Sequence, residues 1–267
     1  MTAFEILKDI SNKNSGLILT KNAIDNGVSR ASLSQLCKDG KISRVAMGQY
    51  VLSDALNDEM LSLSVRSSLI VFSHESALFL NGISERTPFE HTVTIPSSKT
   101  LARSISSKCK IYYIKDKLYD IGKTQLITPM GSKVWAYDMD RTICDIVRSR
   151  SRMADETFLS SLKQYAAKPN KNLANLSLYA SKMGVLQQVR QYLDVLLWVA
   201  HLRGITPIRE DDIYGEYRVS LDAIYETIVI PMTMNISTGD ASIPNAVKFD
   251  FMRIFADELK FELGRAT

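Results

Sequence analysis

The stretch Gly27-Val28-Ser29-Arg30-Ala31-Ser32-Leu33-Ser34-Gln35-Leu36-Cys37-Lys38-Asp39-Gly40 reads as a short capped helix between two glycine turns. Ser29 is an N-cap type, a residue whose side-chain oxygen accepts from a backbone N–H of the first turn. Leu33 and Leu36 fall on an inward face, while Arg30, Ser32, Gln35 and Lys38 fall on the outward one. Asp39-Gly40 breaks the helix.

Working outward, residues 3–12 place Phe4, Ile6, Leu7 and Ile10 at helical spacing. Asn12–Gly16 is a turn cluster. After Leu17-Ile18-Leu19, Thr20 is the expected N-cap of a second helix over Lys21–Asn26, which ends at Gly27. Downstream, Lys41–Leu52 alternates like a strand pair around Met47-Gly48, with Ile42, Val45, Tyr50 and Val51 packing inward. Three helices and a β-hairpin predict a winged helix-turn-helix over residues 1–53, with Gly27 permitting the inter-helix turn. The chemistry suits double-stranded DNA. Arg30 and Gln35 can bond base edges, and Ser29 and Ser32 can bond phosphates or bases. Lys21, Lys38, Lys41 and Arg44 can neutralise phosphate charge. The competing reading is a helical packing module with a solvated polar face.

The pattern changes from Asp54. A helix is expected over Asp54–Ser68, with Leu56, Met60, Leu63 and Ser64 near one face, then a short apolar run at Leu69–Phe72. Ser73 opens a helix through Leu80, closed by Asn81-Gly82. Strands are expected at Thr92–Ile95, Lys110–Ile114, Lys123–Ile127 and Lys133–Tyr137, the last two joined by the turn Thr128-Pro129-Met130-Gly131. Helices follow at about 139–150, 153–167, 172–183 and 185–202, with Asp138 placed to cap the first. The fold class is therefore α+β. A mixed α/β domain over 54–197 ends in a helical bundle, and strand-like runs recur at 217–224, 228–236 and near 247–252.

Composition bounds the function. The 267 residues carry 33 Lys+Arg against 29 Asp+Glu, a formal charge of +4, with 45% hydrophobic and 23% charged residues. That balance belongs to a globular chain and not to a disordered or collagenous one. The longest unbroken apolar run, Val195–Ala200, is far short of the roughly 20 residues a bilayer requires, so no membrane association is expected. The opening Met1-Thr2-Ala3-Phe4-Glu5 lacks a basic patch followed by an apolar stretch, so a secretory signal is not expected. Cys37, Cys109 and Cys144 are too scattered for a disulfide framework or a zinc site, and His74, His91 and His201 show no ligand spacing. A cytoplasmic location without metal or cofactor is the expectation. Charge is unevenly spread: residues 1–198 hold 26 basic and 18 acidic side chains, and residues 199–267 hold 7 and 11. A basic body is thus joined to an acidic tail of different character.

Several blocks together resemble AbiEi-type antitoxins of type IV (abortive infection) toxin–antitoxin systems. They are Gly16-Leu17-Ile18-Leu19-Thr20, Gly27-Val28-Ser29-Arg30, Gly40-Lys41-Ile42-Ser43-Arg44-Val45 and Gly48-Gln49-Tyr50. Further along come Ser73-His74-Glu75-Ser76-Ala77-Leu78, Val93-Thr94-Ile95-Pro96, Asp138 through Asp145, and Val189-Arg190-Gln191-Tyr192-Leu193. No single block is very specific; their order and spacing over residues 1–197 carry the resemblance. It implies a winged-helix domain that binds inverted repeats in its own promoter, where a dimer on DNA is an open expectation. It also implies a second domain that counters a nucleotidyltransferase toxin encoded alongside, without a required stable complex. From about 204 to 258, Arg218-Val219-Ser220-Leu221, Ile228-Val229-Ile230-Pro231-Met232, Ile236-Ser237-Thr238-Gly239-Asp240 and Pro244 resemble an internal stretch of an AbiEii-type toxin. Residues 198–267 are then a truncated toxin-like fragment; the alternative readings are a non-functional fusion remnant and, behind it, a nucleotidyltransferase.

A nucleotidyltransferase would need a Gly-Gly or Gly-Ser turn and, about ten residues later, two carboxylates from one strand to hold Mg²⁺. Gly131-Ser132 followed by Asp138-Met139-Asp140 imitates this, but only five residues intervene and Arg141 follows where an apolar residue is expected. Arg141 and Asp145 are expected instead to pair across one helical turn. In the toxin-like tail, Asn235 stands where relatives tend to carry an Asp, and Asp240 alone cannot assemble a two-metal site. No enzymatic activity is expected. His74-Glu75-Ser76 holds triad types, yet consecutive residues on a helix point in different directions. One of Tyr112 and Tyr113 should be core. Lys99, Arg103, Lys108, Lys110, Lys115 and Lys117 form a basic zone, and Arg148, Arg150 and Arg152 spread around a helix end.

Overall fold

Thr2 opens the described chain as a helix cap. In this computed structural model residues 2–202 are described. Residues 203–267, which hold the toxin-like blocks and the three strand-like runs expected there, lie outside them. The first compact unit ends at Asp138 and the second begins at Met139. The described chain is mixed α+β with two sheets. Among the described residues no helix is long and apolar enough to cross a membrane.

Helix α1 (Ala3–Lys13) starts on a capping box: Glu5 N–H donates to Thr2 Oγ1, and Thr2 N–H donates to Glu5 Oε2 at 2.7 Å. Strand β1 (Ile18–Leu19), α2 (Thr20–Asp25), α3 (Arg30–Lys38), β2 (Ile42–Ala46) and β3 (Gln49–Leu52) follow. The strands form an antiparallel sheet in the order β1-β3-β2, with Ile18 opposite Tyr50, Ile42 opposite Leu52 and a bulge between Arg44 and Ala46. Leu7, Ile10, Ile18, Ala23, Val28, Leu33, Leu36 and Ile42 form one core beneath the three helices. Thr20 does not cap α2. The cap is Leu19, whose hydrocarbon side chain has no acceptor to offer; β1 pairing with Gln49 holds Leu19 extended, so Thr20 becomes the first helical residue.

Helix α4 is shorter than the pattern implied. It spans Glu59–Arg66, and Leu56 is exposed. Asp58 explains this, since its carboxylate accepts from Leu61 N–H at 3.0 Å and fixes the start of the helix there. Next come β4 (Val71–Phe72), α5 (His74–Leu80), β5 (His91–Pro96), α6 (Arg103–Ser106), β6 (Cys109–Ile114), β7 (Lys123–Ile127) and β8 (Lys133–Tyr137). They build a mixed sheet in the order β6-β5-β4-β8-β7, in which β5–β6 and β4–β8 are parallel. A second core gathers Met60, Leu63, Phe72, Val93, Ile105, Cys109, Val134 and Ala136. Gln49 of β3 joins the two layers: its Nε2 donates to Ser62 O at 3.0 Å and its Oε1 accepts from Ser62 Oγ, all buried.

The second unit holds four described helices, α7 (Met139–Arg148), α8 (Asp155–Ala167), α9 (Leu173–Met183) and α10 (Leu186–Leu202). Ile143, Ile146, Phe158, Leu162, Leu176, Ala180, Val189 and Leu193 are buried among them. The Phe158 ring meets the edge of Tyr192 at 5.0 Å. Gly184 ends α9 in the left-handed conformation at φ 72°, and Val185 N–H returns to Ala180 O at 2.9 Å.

Candidate nucleic-acid interface

Helix α3 owes its position to both of its faces. Leu33 and Leu36 anchor it in the first core. Gly27, at φ 84°, lets Val28 N–H reach back to Ala23 O at 2.9 Å, which sets the turn from α2. Ser29 caps α3 as expected: Ser32 N–H donates to Ser29 Oγ at 3.0 Å. The two hydroxyls also bond each other at 2.9 Å, so Ser29 and Ser32 work as a coupled pair at the helix start.

Lys21, Arg30 and Lys38 are exposed, and among the described residues none of them has an ion-pair partner. Gln35 is exposed, and its Nε2 donates to Asp39 Oδ1 at 2.8 Å. The β2–β3 turn carries Met47, 78% exposed, beside Gly48 at φ 72°. Two expected contacts lie beyond α3 on the chain, Lys41 with its backbone N–H on Leu36 O at 3.0 Å. Lys41 lies over the Phe4 ring of α1 at 5.5 Å, with Lys8 on the same ring at 5.0 Å. On β2, Arg44 turns its Nε to Ala46 O at 3.4 Å. Burial pushes the Cys37 thiol up, and the charge of Arg44 opposes that shift.

Ala31 and Ser34 are also exposed on α3. Ala31 lies one helical turn before Gln35 and Ser34 one turn before Lys38, so the spacing of α3 puts them beside those two side chains.

The other constellations resolve into structure. Ser76 Oγ accepts from Thr92 N–H at 2.8 Å, and Thr92 Oγ1 accepts from Ser76 N–H at 2.9 Å, so this serine serves the helix–strand junction. His74 takes a positive φ of 47° and stacks on Tyr112 with centroids 3.4 Å apart. As the alternation predicts, Tyr112 is core at 4% exposure and Tyr113 is 53% exposed. In the basic zone Lys99, Arg103, Lys108, Lys115 and Lys117 are exposed, while Lys110 pairs with Glu75 at 3.7 Å. Arg150 meets Asp155 at 2.6 Å and lies over Phe158. Asp140 accepts from Tyr165 OH at 2.8 Å and from Asn172 N–H at 3.1 Å. Arg141 and Asp145 pair at 3.2 Å as expected. Among the described residues no cluster of three His, Cys, Asp or Glu side chains is placed to hold a metal ion.

No family model matches the chain, and a search of curated proteins finds no match. Among solved structures, the chain is similar to the RV2827C protein from Mycobacterium tuberculosis. The TM-score is 0.52 at 15% identity, over 74% of this chain and 76% of that one. At that identity the likeness is one of fold.

Proposed function

We propose that residues 1–53 form a winged helix-turn-helix that binds double-stranded DNA, and that the protein is an antitoxin of AbiEi type. It represses its own operon through inverted repeats and neutralises a nucleotidyltransferase toxin encoded beside it, with residues 54–197 as the antitoxin domain. One observation carries the reading. Helix α3 is anchored by Leu33 and Leu36 while Arg30, Gln35 and Lys38 face solvent, and among the described residues the cations on it are not spent on carboxylates. Exposed cations beside hydrogen-bonding side chains on one helix suit a phosphate-flanked groove. Met47, at the tip of the β2–β3 hairpin, takes the place of a wing. The ordered sequence blocks supply the rest of the reading.

A two-part experiment with the full chain tests it. A reporter driven by the chain's own promoter should be repressed when the protein is expressed. Growth should be restored when the protein is expressed together with the adjacent nucleotidyltransferase. Loss of repression with intact rescue would remove the DNA-binding half, and the reverse would remove the antitoxin half.

A further inference from the structure

Ala31, Gln35 and Asp39 follow one another at four-residue spacing on α3 and its C-cap, and all three are exposed. Gln35 Nε2 donates to Asp39 Oδ1 at 2.8 Å. An ionised carboxylate has no hydrogen to give, so only the nitrogen end of the amide can face it. The contact therefore fixes which way the amide points. It leaves Oε1 and the second Nε2 hydrogen for another partner.

Asp39 has little local reason to be acidic. It sits at the C-terminal end of α3, where the helix dipole disfavours a negative charge. Among the described residues it has no ion-pair partner. On a surface meant for a polyanion it also adds repulsion. Its contact with Gln35 is what remains to account for it.

We infer that Asp39 is a positioning residue for Gln35, and that Gln35 and Ala31 together read an adenine with a neighbouring thymine in duplex DNA. Adenine offers its N7 acceptor and N6 amino donor in the major groove, which one correctly turned glutamine amide matches with Nε2–H and Oε1. Ala31 presents a bare methyl, the apolar match for the C5 methyl of thymine. Residues four apart on a helix hold their Cβ atoms about 5–6 Å from each other, enough to span neighbouring base pairs stacked at about 3.4 Å. The inference rests on α3 being the DNA-reading helix, as proposed above.

The test selects bound duplexes from a randomised double-stranded DNA library with the full chain. Affinities for the selected duplex and its single-base variants are then measured at one salt concentration. Wild type should prefer A·T at one position by about tenfold or more, and Gln35→Ala should lose that preference. Asp39→Ala should lower the preference at the same position by about threefold or more, while affinity for an unrelated duplex holds or rises because a repelling charge is gone. Asp39→Asn should retain part of the preference, since its amide oxygen can still accept from Gln35. Deoxyuridine in place of the neighbouring thymine should weaken wild-type binding by about twofold or more; equal binding would strike Ala31 from the reading. An Asp39→Ala protein that keeps the wild-type preference at every position overturns the positioning role while DNA reading stands. A wild-type protein that selects no sequence overturns the DNA-reading function, and this inference with it.

Discussion

The backbone N–H of Thr20 donates to the carbonyl of Gly48 at 2.9 Å, which ties the turn of the β2–β3 hairpin to the first residue of α2. Hairpin tip and helix pair are thereby held in one geometry, although 28 positions of chain separate the two residues. A DNA-binding surface made from both elements needs that kind of fixed relation, because binding would otherwise have to supply the ordering entropy.

Gly48 should resist substitution for a conformational reason. Its φ is 72°, and an added Cβ would meet Thr20 Oγ1 at an ordinary 3.6 Å, so space is not the obstacle. Gly48→Ala should cost about 1–2 kcal/mol of stability, with Gly48→Asn costing less because Asn tolerates left-handed backbone. Urea unfolding midpoints measure this; an Ala variant as stable as wild type would remove the constraint.

Asp58 should be the costliest cap to remove. One carboxylate oxygen accepts from Leu61 N–H at 3.0 Å, and the other accepts from Thr128 Oγ1 at 2.6 Å in the β7–β8 turn. Asp58→Ala loses a helix cap worth about 1 kcal/mol and a buried charged hydrogen bond worth about 1.5–3 kcal/mol. With Thr128→Val it should give a double-mutant coupling of about 1 kcal/mol or more, and additive effects would contradict the contact.

The same residue marks where pattern reading ran out. Leu56 looked like an inward position of a long helix, but a helix begins where its first N–H groups find acceptors, and Asp58 supplies one. Thr20 misled in the opposite way, as a good cap type placed where strand pairing had already set the backbone. Strands β7 and β8 were legible to the residue, because alternation in Lys123–Ile127 and Lys133–Tyr137 is bounded by a Pro-Met-Gly turn. The order β6-β5-β4-β8-β7 was not, since which strand lies beside which depends on contacts far apart in the chain. On α3 the cap and the inward leucines could be read from spacing. The Gln35–Asp39 and Ser29–Ser32 contacts needed side-chain geometry.

In the second unit, Arg141 and Asp145 are both buried and 3.2 Å apart. Taking away Asp145 removes a carboxylate from a guanidinium buried away from water, so Asp145→Ala should cost about 3–5 kcal/mol. Replacing both by apolar residues of similar size should cost less than the single change, because neither of the two charges is then left without the other. Thermal and urea unfolding of the two variants decide the order, and the reverse order would contradict it.

Stability should fall on the alkaline side. Burial pushes the Cys109 thiol up to about 11 from 9.0, helped by the charge of Glu90 and opposed by Arg66. Burial likewise raises Tyr119 to about 12 from 10.0, with Asp120 adding to it. Each group holds its proton more tightly folded than unfolded. Its contribution is therefore complete below the unfolded value and lost as pH rises through the folded one. Urea midpoints should stay level with respect to these two groups up to about pH 9 and decline between 9 and 12, less steeply in Cys109→Ala with Tyr119→Phe. An equal decline in that double variant would assign the alkaline loss to other groups.

Binding of a labelled duplex from the chain's own promoter, followed by fluorescence anisotropy at fixed salt, tests the central claim most directly. Arg30 is exposed at the start of α3 and, among the described residues, has no ion-pair partner. If it reads a base, Arg30→Ala should raise Kd by about 5- to 150-fold, the equivalent of about 1–3 kcal/mol. An Arg30→Ala protein that binds the promoter duplex as tightly as wild type would contradict α3 as the reading helix.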